Sequence, residues 1–309
     1  MSPILGSIGG LAARAYGLIS YVKAIIPGSL WSSHSGSFST SWYSAAASGT
    51  GQFVATIFNS GTMQYSSDGY SWSNKSMPSS AYWTDPVWNG SKWIVVTQGQ
   101  SKYATSTDGQ TWTGGTTPSI SAQHLAYGGG NFFACNYGGN TMMLSSSGTS
   151  WTTYSMPTTA NWAGVAYGNG TYVCVTDATA PGGAYSTNGT TWSSSSGRSG
   201  SAYNSGVAFS NGIFVSIIGT GPTYYTTTDG ITWTSRTFPV SYSYGSLQAT
   251  ANNFVMIPGG GSANAYYSSD GITWTSAALG ATYAGIAIEW DGSKVYYQIN
   301  NGTAILTSP

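Results

Sequence analysis

Charge is nearly absent from this chain. Asp, Glu, Lys and Arg make up 5% of its 309 residues, against roughly 25% in ordinary soluble domains. Eight basic and eight acidic residues cancel, and the basic ones are scattered. No basic face exists to bind nucleic acid or another polyanion. Glutamate occurs once, at Glu289, and arginine only at Arg14, Arg198 and Arg236. Too few of these remain for an arginine cluster around an acidic substrate, or for an obvious catalytic carboxylate pair. His34 and His124 stand alone, without metal-ligand spacing, and are expected to be surface or pore-lining groups. No nucleophile elbow or phosphate-cradling glycine loop is present. No metal, no cofactor and no enzymatic activity are therefore expected. Long apolar runs are missing too: Arg14 and Lys23 interrupt the most apolar stretch, so no helix of ~20 apolar residues can span a membrane. The Met-Ser-Pro start lacks the basic region of a signal peptide.

Tryptophan, by contrast, recurs. Trp31, Trp72, Trp112, Trp151, Trp192, Trp233 and Trp274 are separated by 41, 40, 39, 41, 41 and 41 residues. A period near forty marks one supersecondary unit used repeatedly. Six of these tryptophans end one phrase, typified by Ser66-Ser67-Asp68-Gly69-Tyr70-Ser71-Trp72. Asp108, Asp229 and Asp270 hold the place of Asp68, and Ser147 and Asn188 replace it in two copies. Asp-Gly between β-formers predicts a strand, a tight turn with both residues at positive φ, and a second strand carrying the Trp.

A second marker runs out of phase. Gly51, Gly90, Gly130, Gly170, Gly212, Asn253 and Gly292 each precede an apolar run, often within an Asn-Gly or Asp-Gly pair. With another short strand upstream, each unit becomes four antiparallel strands, the blade of a β-propeller. Marker and Trp lie 21 or 22 residues apart in the complete copies. After Gly292 the chain stops before its Trp, but the count is satisfied if the segment at Gly28–Trp31 completes the last unit. This predicts an all-β, seven-bladed propeller over residues 28–309, closed by an N-terminal strand, which removes an exposed sheet edge.

The repeated phrase resembles the Asp box, or BNR repeat, of sialidase-like propellers, usually Ser-x-Asp-x-Gly-x-x-Trp. Here Asp and Gly are adjacent, which implies a tighter turn. In that family the motif is a structural turn away from the ligand face, so the resemblance implies fold rather than activity. The Ser/Thr/Gly-rich, charge-poor style and the short leader also resemble structural proteins of tailed bacteriophages.

Cys135 and Cys174 fall at odd and even distances from their hairpin glycines. Strand side chains alternate faces, so the thiols are expected on opposite faces of neighbouring blades, unpaired. Residues 1–27, with Ile4, Leu5, Ile8, Leu11, Leu18, Ile19, Val22, Ile25 and Ile26, read as a docking arm. The alternative is that they fold back over one end of the propeller. Loops joining the fourth strand of one blade to the first of the next share one end with those joining second to third. They carry Tyr82, Trp83, Tyr137, Tyr154, Trp162, Tyr203, Tyr242, Tyr244 and Tyr283, candidate rings for a neutral sugar. Otherwise these rings pack between blades. Asp85 and Asp177 belong to different blades and cannot be placed together.

The expected function is a non-enzymatic virion protein of a tailed phage, assembled in the host cytoplasm and exposed outside. It would act as adhesin, receptor-binding or decoration module, bound to other virion proteins through residues 1–27 in a symmetric homo-oligomer. A cell-surface glycan is the candidate ligand. The alternatives are a soluble lectin-like propeller and a sialidase-like hydrolase, the latter disfavoured by arginine poverty.

Overall fold

The structure is a computed structural model. It describes residues 28, 30–35, 42–48, 51–177, 182–199, 206–243, 245–259, 261–283, 285–299 and 304–308. The arm at residues 1–27 therefore lies outside the described residues. Every regular element described is a strand, all paired antiparallel, and the strands form six sheets. Five sheets have four strands and one has seven. In the seven-stranded sheet a single long strand, Thr152–Gly168, serves both halves. It pairs with Tyr137–Ser145 through Asn161 and with Thr171–Thr176 from Trp162 onward.

The first strands of the sheets touch one another in a closed sequence. Trp42–Ala47 meets Val87–Trp88, which meets Ala126–Gly128, then Thr152–Gly168, Gly206–Ser210, Ser246–Ala249, Gly285–Trp290, and again Trp42–Ala47. The second strands explain why these sheets stack. Their side chains alternate between two seams, so both faces are buried and the sequence reads as an apolar run. Phe132 and Ala134 pack toward Ile94 and Val96, while Phe133 and Cys135 pack toward Tyr172 and Cys174. Val173 and Val175 continue to Phe214, and Tyr296 returns to Phe53. The seams thus close on themselves.

Each seam receives one repeat tryptophan. Trp72, Trp112, Trp192 and Trp233 are buried in the seam clusters, and Trp31, Trp151 and Trp274 pack against them while half-buried. Five of these rings donate Nε1–H to the carbonyl three residues earlier, as Trp192 does to Gly189 at 3.1 Å.

The motif turn differs from the expected tight hairpin. Gly69 has φ of 77°, but Asp68 is not at positive φ. The strands end at Ser66 and resume at Ser73, leaving a wider loop. Side chains close it: Asp68 Oδ1 accepts the Tyr70 and Ser71 N–H groups, and Ser66 Oγ accepts those of Asp68 and Gly69. Glycine is required because its positive φ coincides with close approach to the neighbouring sheet. A Cβ on Gly69 would lie 2.6 Å from Tyr296. Genuine two-residue turns with both φ values positive occur instead at Asn169-Gly170 and Asn211-Gly212. There each Asn amide donates to carbonyls of the next unit, Asn169 to Gly212 and Thr228 at 2.9 Å each.

Closure follows the sequence count. Strand Ser32–Ser35 pairs with Ala304–Ser308, with Ser32 opposite Thr307. The Gly28 N–H also donates to Ser308 Oγ at 2.8 Å.

The cysteine expectation is overturned: Cys135 and Cys174 form a disulfide. Pointing to opposite faces of their own strand layers is what lets the two thiols meet. Blades stack front to back, so the forward face of one unit meets the backward face of the next. Both sulfurs consequently lie in one seam cluster.

Candidate functional site

The loops leading into the first strands, and those leaving the second strands, meet at one end of the molecule. Backbone pairing ties them together there. Trp83 bridges to Thr97, Gln98 to Ser121, and Ala122 to Asn136. Side chains add Tyr82 N–H to Gln100 Oε1 at 2.7 Å and Ser121 N–H to Asn136 Oδ1 at 2.8 Å.

On this frame, polar side chains from successive units converge. Asp85 lies two residues before strand Val87–Trp88, and His124 two residues before Ala126–Gly128. His124 Nδ1 and Asp85 Oδ2 are 2.5 Å apart. Ser44, on the first strand of the preceding unit, lies near enough to Asp85 to help hold its carboxyl low. Ser44, Asp85 and His124 thus come one from each of three consecutive units. Protein surrounds the pair, yet 41% of the His124 side chain and 25% of that of Asp85 remain exposed.

Burial pushes the Asp85 carboxyl up, but the His124 charge, its hydrogen bond and that of Ser44 outweigh this and hold it below the usual carboxylate range. Burial likewise pushes the His124 imidazole down. Asp85, and beyond it the charge of Asp177, outweigh burial and raise it above the ordinary value. Asp177 follows strand Thr171–Thr176 at the same end, its N–H bonded to Asn161 O at 3.0 Å. The structure therefore brings both carboxylates, Asp85 and Asp177, within electrostatic reach of one histidine. No sequence spacing signals this, because the three residues come from three separate units. Among the described residues no group of three or more His, Cys, Asp or Glu side chains is placed to hold a metal.

Arg198 continues the arc inward but is spent on structure. It is 5% exposed and donates Nη1–H to Thr176 O and Gly182 O and Nε–H to Ser216 Oγ. Burial lowers its pKa to about 10, leaving it charged at neutral pH. Arg236 bonds Thr226 on an outer strand. His34 lies in the closing strand, bonded to Thr307 at 3.0 Å. Glu289 stands opposite Tyr296 in strand Gly285–Trp290.

The candidate rings divide. Trp83, Trp162 and Tyr242 are 1%, 1% and 4% exposed and belong to seam clusters, so the expectation of ligand-facing rings is corrected for these three. They enter or leave strands at the seam edge, where their apolar area is buried by the neighbouring unit. Tyr154 is not on the loop end. It sits on an outer strand opposite Met142 and lines an open groove of about 500 Å³ with Met156, Thr190 and Trp192. Tyr137 is half-buried and opposite Asn161 at the loop end. Tyr283 ends the strand Thr275–Tyr283. Tyr203 and Tyr244 lie outside the described residues. Tyr82 is half-buried and its ring lies tilted against that of Phe58, a residue the sequence did not single out.

No protein-family model and no curated protein matches the chain in sequence. Solved structures match in fold. A catalytically inactive histidine-to-alanine variant of virginiamycin B lyase from Staphylococcus aureus with quinupristin gives a TM-score of 0.76 at 11% identity, covering 90% of this chain and 98% of that one. YCF48 bound to D1 peptide gives 0.65 at 16% identity, covering 90% and 96%. The β-propeller domain of Cps50 (Swd1) from Myceliophteria thermophila gives 0.63 at 9% identity, covering 89% and 99%. The fold is thus a β-propeller. The comparisons bring no support for the BNR or phage resemblances. The expectation of a non-enzyme is corrected: this fold carries a lyase among its relatives in shape, and poverty in charge does not exclude catalysis by one His–carboxylate pair.

Proposed function

We propose that the chain is a seven-bladed propeller whose loop-bearing end is a recognition face, displayed on a tailed-phage particle and fastened to it by residues 1–27. The blade count draws support from the seams, which close in a ring, and from the division of the seven-stranded sheet at Asn161–Trp162 into two blades sharing one long strand. The observation that carries recognition is the Asp85–His124 pair, with Ser44 beside it. Three consecutive units direct hydrogen-bonding groups to one end and leave them accessible. The opposite end spends its Asn side chains on neighbouring carbonyls. A surface with so little charge and an apolar leader fit packing among other protein copies.

The test is binding of purified protein to envelopes from a panel of bacteria. Wild type is expected to be retained by at least one, and His124→Ala to weaken retention tenfold or more while remaining folded. Retention by none would sink the recognition reading.

A second reading, acid–base catalysis, is favoured by the histidine geometry. Nδ1 is tied to Asp85, and no hydrogen bond occupies Nε2 among the described residues. A carboxylate that fixes tautomer and orientation while the second nitrogen meets substrate is how a general base is built. Quinupristin, the compound present with the lyase relative in fold, is a first substrate to try. Consumption followed by chromatography and abolished in His124→Ala would favour catalysis; equal consumption by both proteins would remove His124 from any reaction.

A further inference from the structure

We propose that the Cys135–Cys174 disulfide positions the recognition site: by tying the unit that carries His124 to the unit that carries Asp177, it holds that histidine and that carboxylate at a fixed approach before a ligand arrives. This rests on the loop end being the recognition face, and it names the link that keeps the face in its binding arrangement.

The two cysteines stand where such a link would act. Cys135 ends strand Asn131–Cys135, and the residues after it build the loop end. Asn136 bridges to Ala122, and its Oδ1 accepts the Ser121 N–H at 2.8 Å. The Tyr137 N–H donates to Ser121 O, also at 2.8 Å. His124 follows Ala122 by two residues. On the other side, Cys174 lies in strand Thr171–Thr176, three residues before Asp177. The Asp177 N–H donates to Asn161 O at 3.0 Å, and Asn161 is paired across strands with Tyr137. Arg198 holds the carbonyl of Thr176, next to Asp177. The disulfide and the Tyr137–Asn161 pairing thus fix one seam at two places, and the segments they fix lead directly to His124 and Asp177.

This seam is unlike the others. The chain has only these two cysteines, so every other seam is held without a disulfide. It is also the seam crossed by the continuous strand Thr152–Gly168, whereas the remaining units form separate four-stranded sheets. His124 and Asp177 come from the two units that meet there, and the Asp177 charge acts on the imidazole. Groups that must be ordered as the ligand binds cost affinity, so a site gains from being held beforehand by its support. Cys135 and Cys174 are 2% and 0% exposed. Small thiols therefore reach the bond only when the seam opens, and a link made during folding persists afterwards.

The experiment follows the His124 ring protons by nuclear magnetic resonance across pH, assigned by their loss in His124→Gln, in three forms of the full chain. One is wild type with its disulfide. The second is the Cys135→Val, Cys174→Ala double variant, whose side chains refill the seam. The third is wild type unfolded and refolded with an excess of a dithiol. The dithiol supplies two electrons and two protons, the S–S bond gives way to two thiols, and the dithiol closes to a cyclic disulfide. Linked protein is expected to titrate His124 above its ordinary 6.5. Both unlinked forms should titrate it closer to 6.5 and be retained by bacterial envelopes at least threefold more weakly, and reoxidation of the reduced form should restore both properties. The same titration in linked and unlinked protein would overturn the positioning role, and so would a lowered titration with undiminished retention. If envelopes retain none of the forms, the recognition face falls, while the titration still decides whether the disulfide positions His124.

Discussion

Asp108 shows how a turn motif can vary at its most conspicuous position. Its Oδ1 accepts the Gln110 and Thr111 N–H groups at 2.8 Å each, and the Thr111 bond leads the causes that lower its pKa to about 2. Asn188 does the same work at 2.9 Å, and Ser147 does it at 3.2 and 3.1 Å. The requirement is for an acceptor, not a charge. Asp108→Asn should therefore keep the turn and lose at neutral pH only the part that ionisation adds, while Asp108→Ala, which strands both N–H groups, should melt lower still. Nuclear magnetic resonance titration should place Asp108 near 2. Because its folded pKa is depressed, its stabilisation is present above the ordinary 3.8 and lost as pH falls toward 2. The His124–Asp85 pair has a second, opposite edge. The Asp85 part is lost as pH falls through a lowered pKa. The His124 part is full below 6.5 and disappears as pH rises through a raised one. The difference in melting temperature between wild type and His124→Gln should shrink from about pH 5 to about pH 9. A difference independent of pH would show that the pair is not ionised.

At the scale of the element, the second strand is the unit that holds neighbours together, since it buries both faces. The disulfide between Cys135 and Cys174 adds a covalent link across one such seam, closing a loop with a separation of 39 residues. On chain-entropy grounds a loop of that size contributes about 4 kcal/mol. The Cys135→Ser, Cys174→Ser double variant should lose stability of that order in denaturant melts, and wild type should lose the same in reductant. Equal midpoints with and without reductant would show that the seam is held by packing alone. The long strand Thr152–Gly168 makes a related point. The two halves of that sheet share a continuous strand and have no loop between them to hinge.

For the whole molecule, stability depends on closing the ring. Strand Ser32–Ser35 supplies the outer strand of the sheet that contains residues 285–308. A chain beginning at residue 28 keeps that strand and Trp31, and should melt like the full chain. A chain beginning at residue 36 loses four strand pairings, the Trp31 ring and the Gly28–Ser308 bond. It should melt lower and populate partly unfolded or associated species, because an unpaired edge is left open. Light scattering alongside calorimetry would check both.

The sequence by itself determined the repeat, its four-stranded unit and the pairing of the two chain ends. All of these follow from local turn chemistry and constant spacing, which act within about forty residues or carry across the termini by simple counting. The tertiary structure decided what depends on distance between units. It set which strand faces meet, and so that Cys135 and Cys174 join rather than diverge. It decided that Trp83, Trp162 and Tyr242 fill seams while Phe58 stays outside. It also brought Ser44, Asp85, His124 and Asp177 together, from four separate units. Curvature of the ring sets those approaches. A periodic sequence records each unit's own strands and turns, but carries no mark of which side chains the closing of the ring will bring into reach.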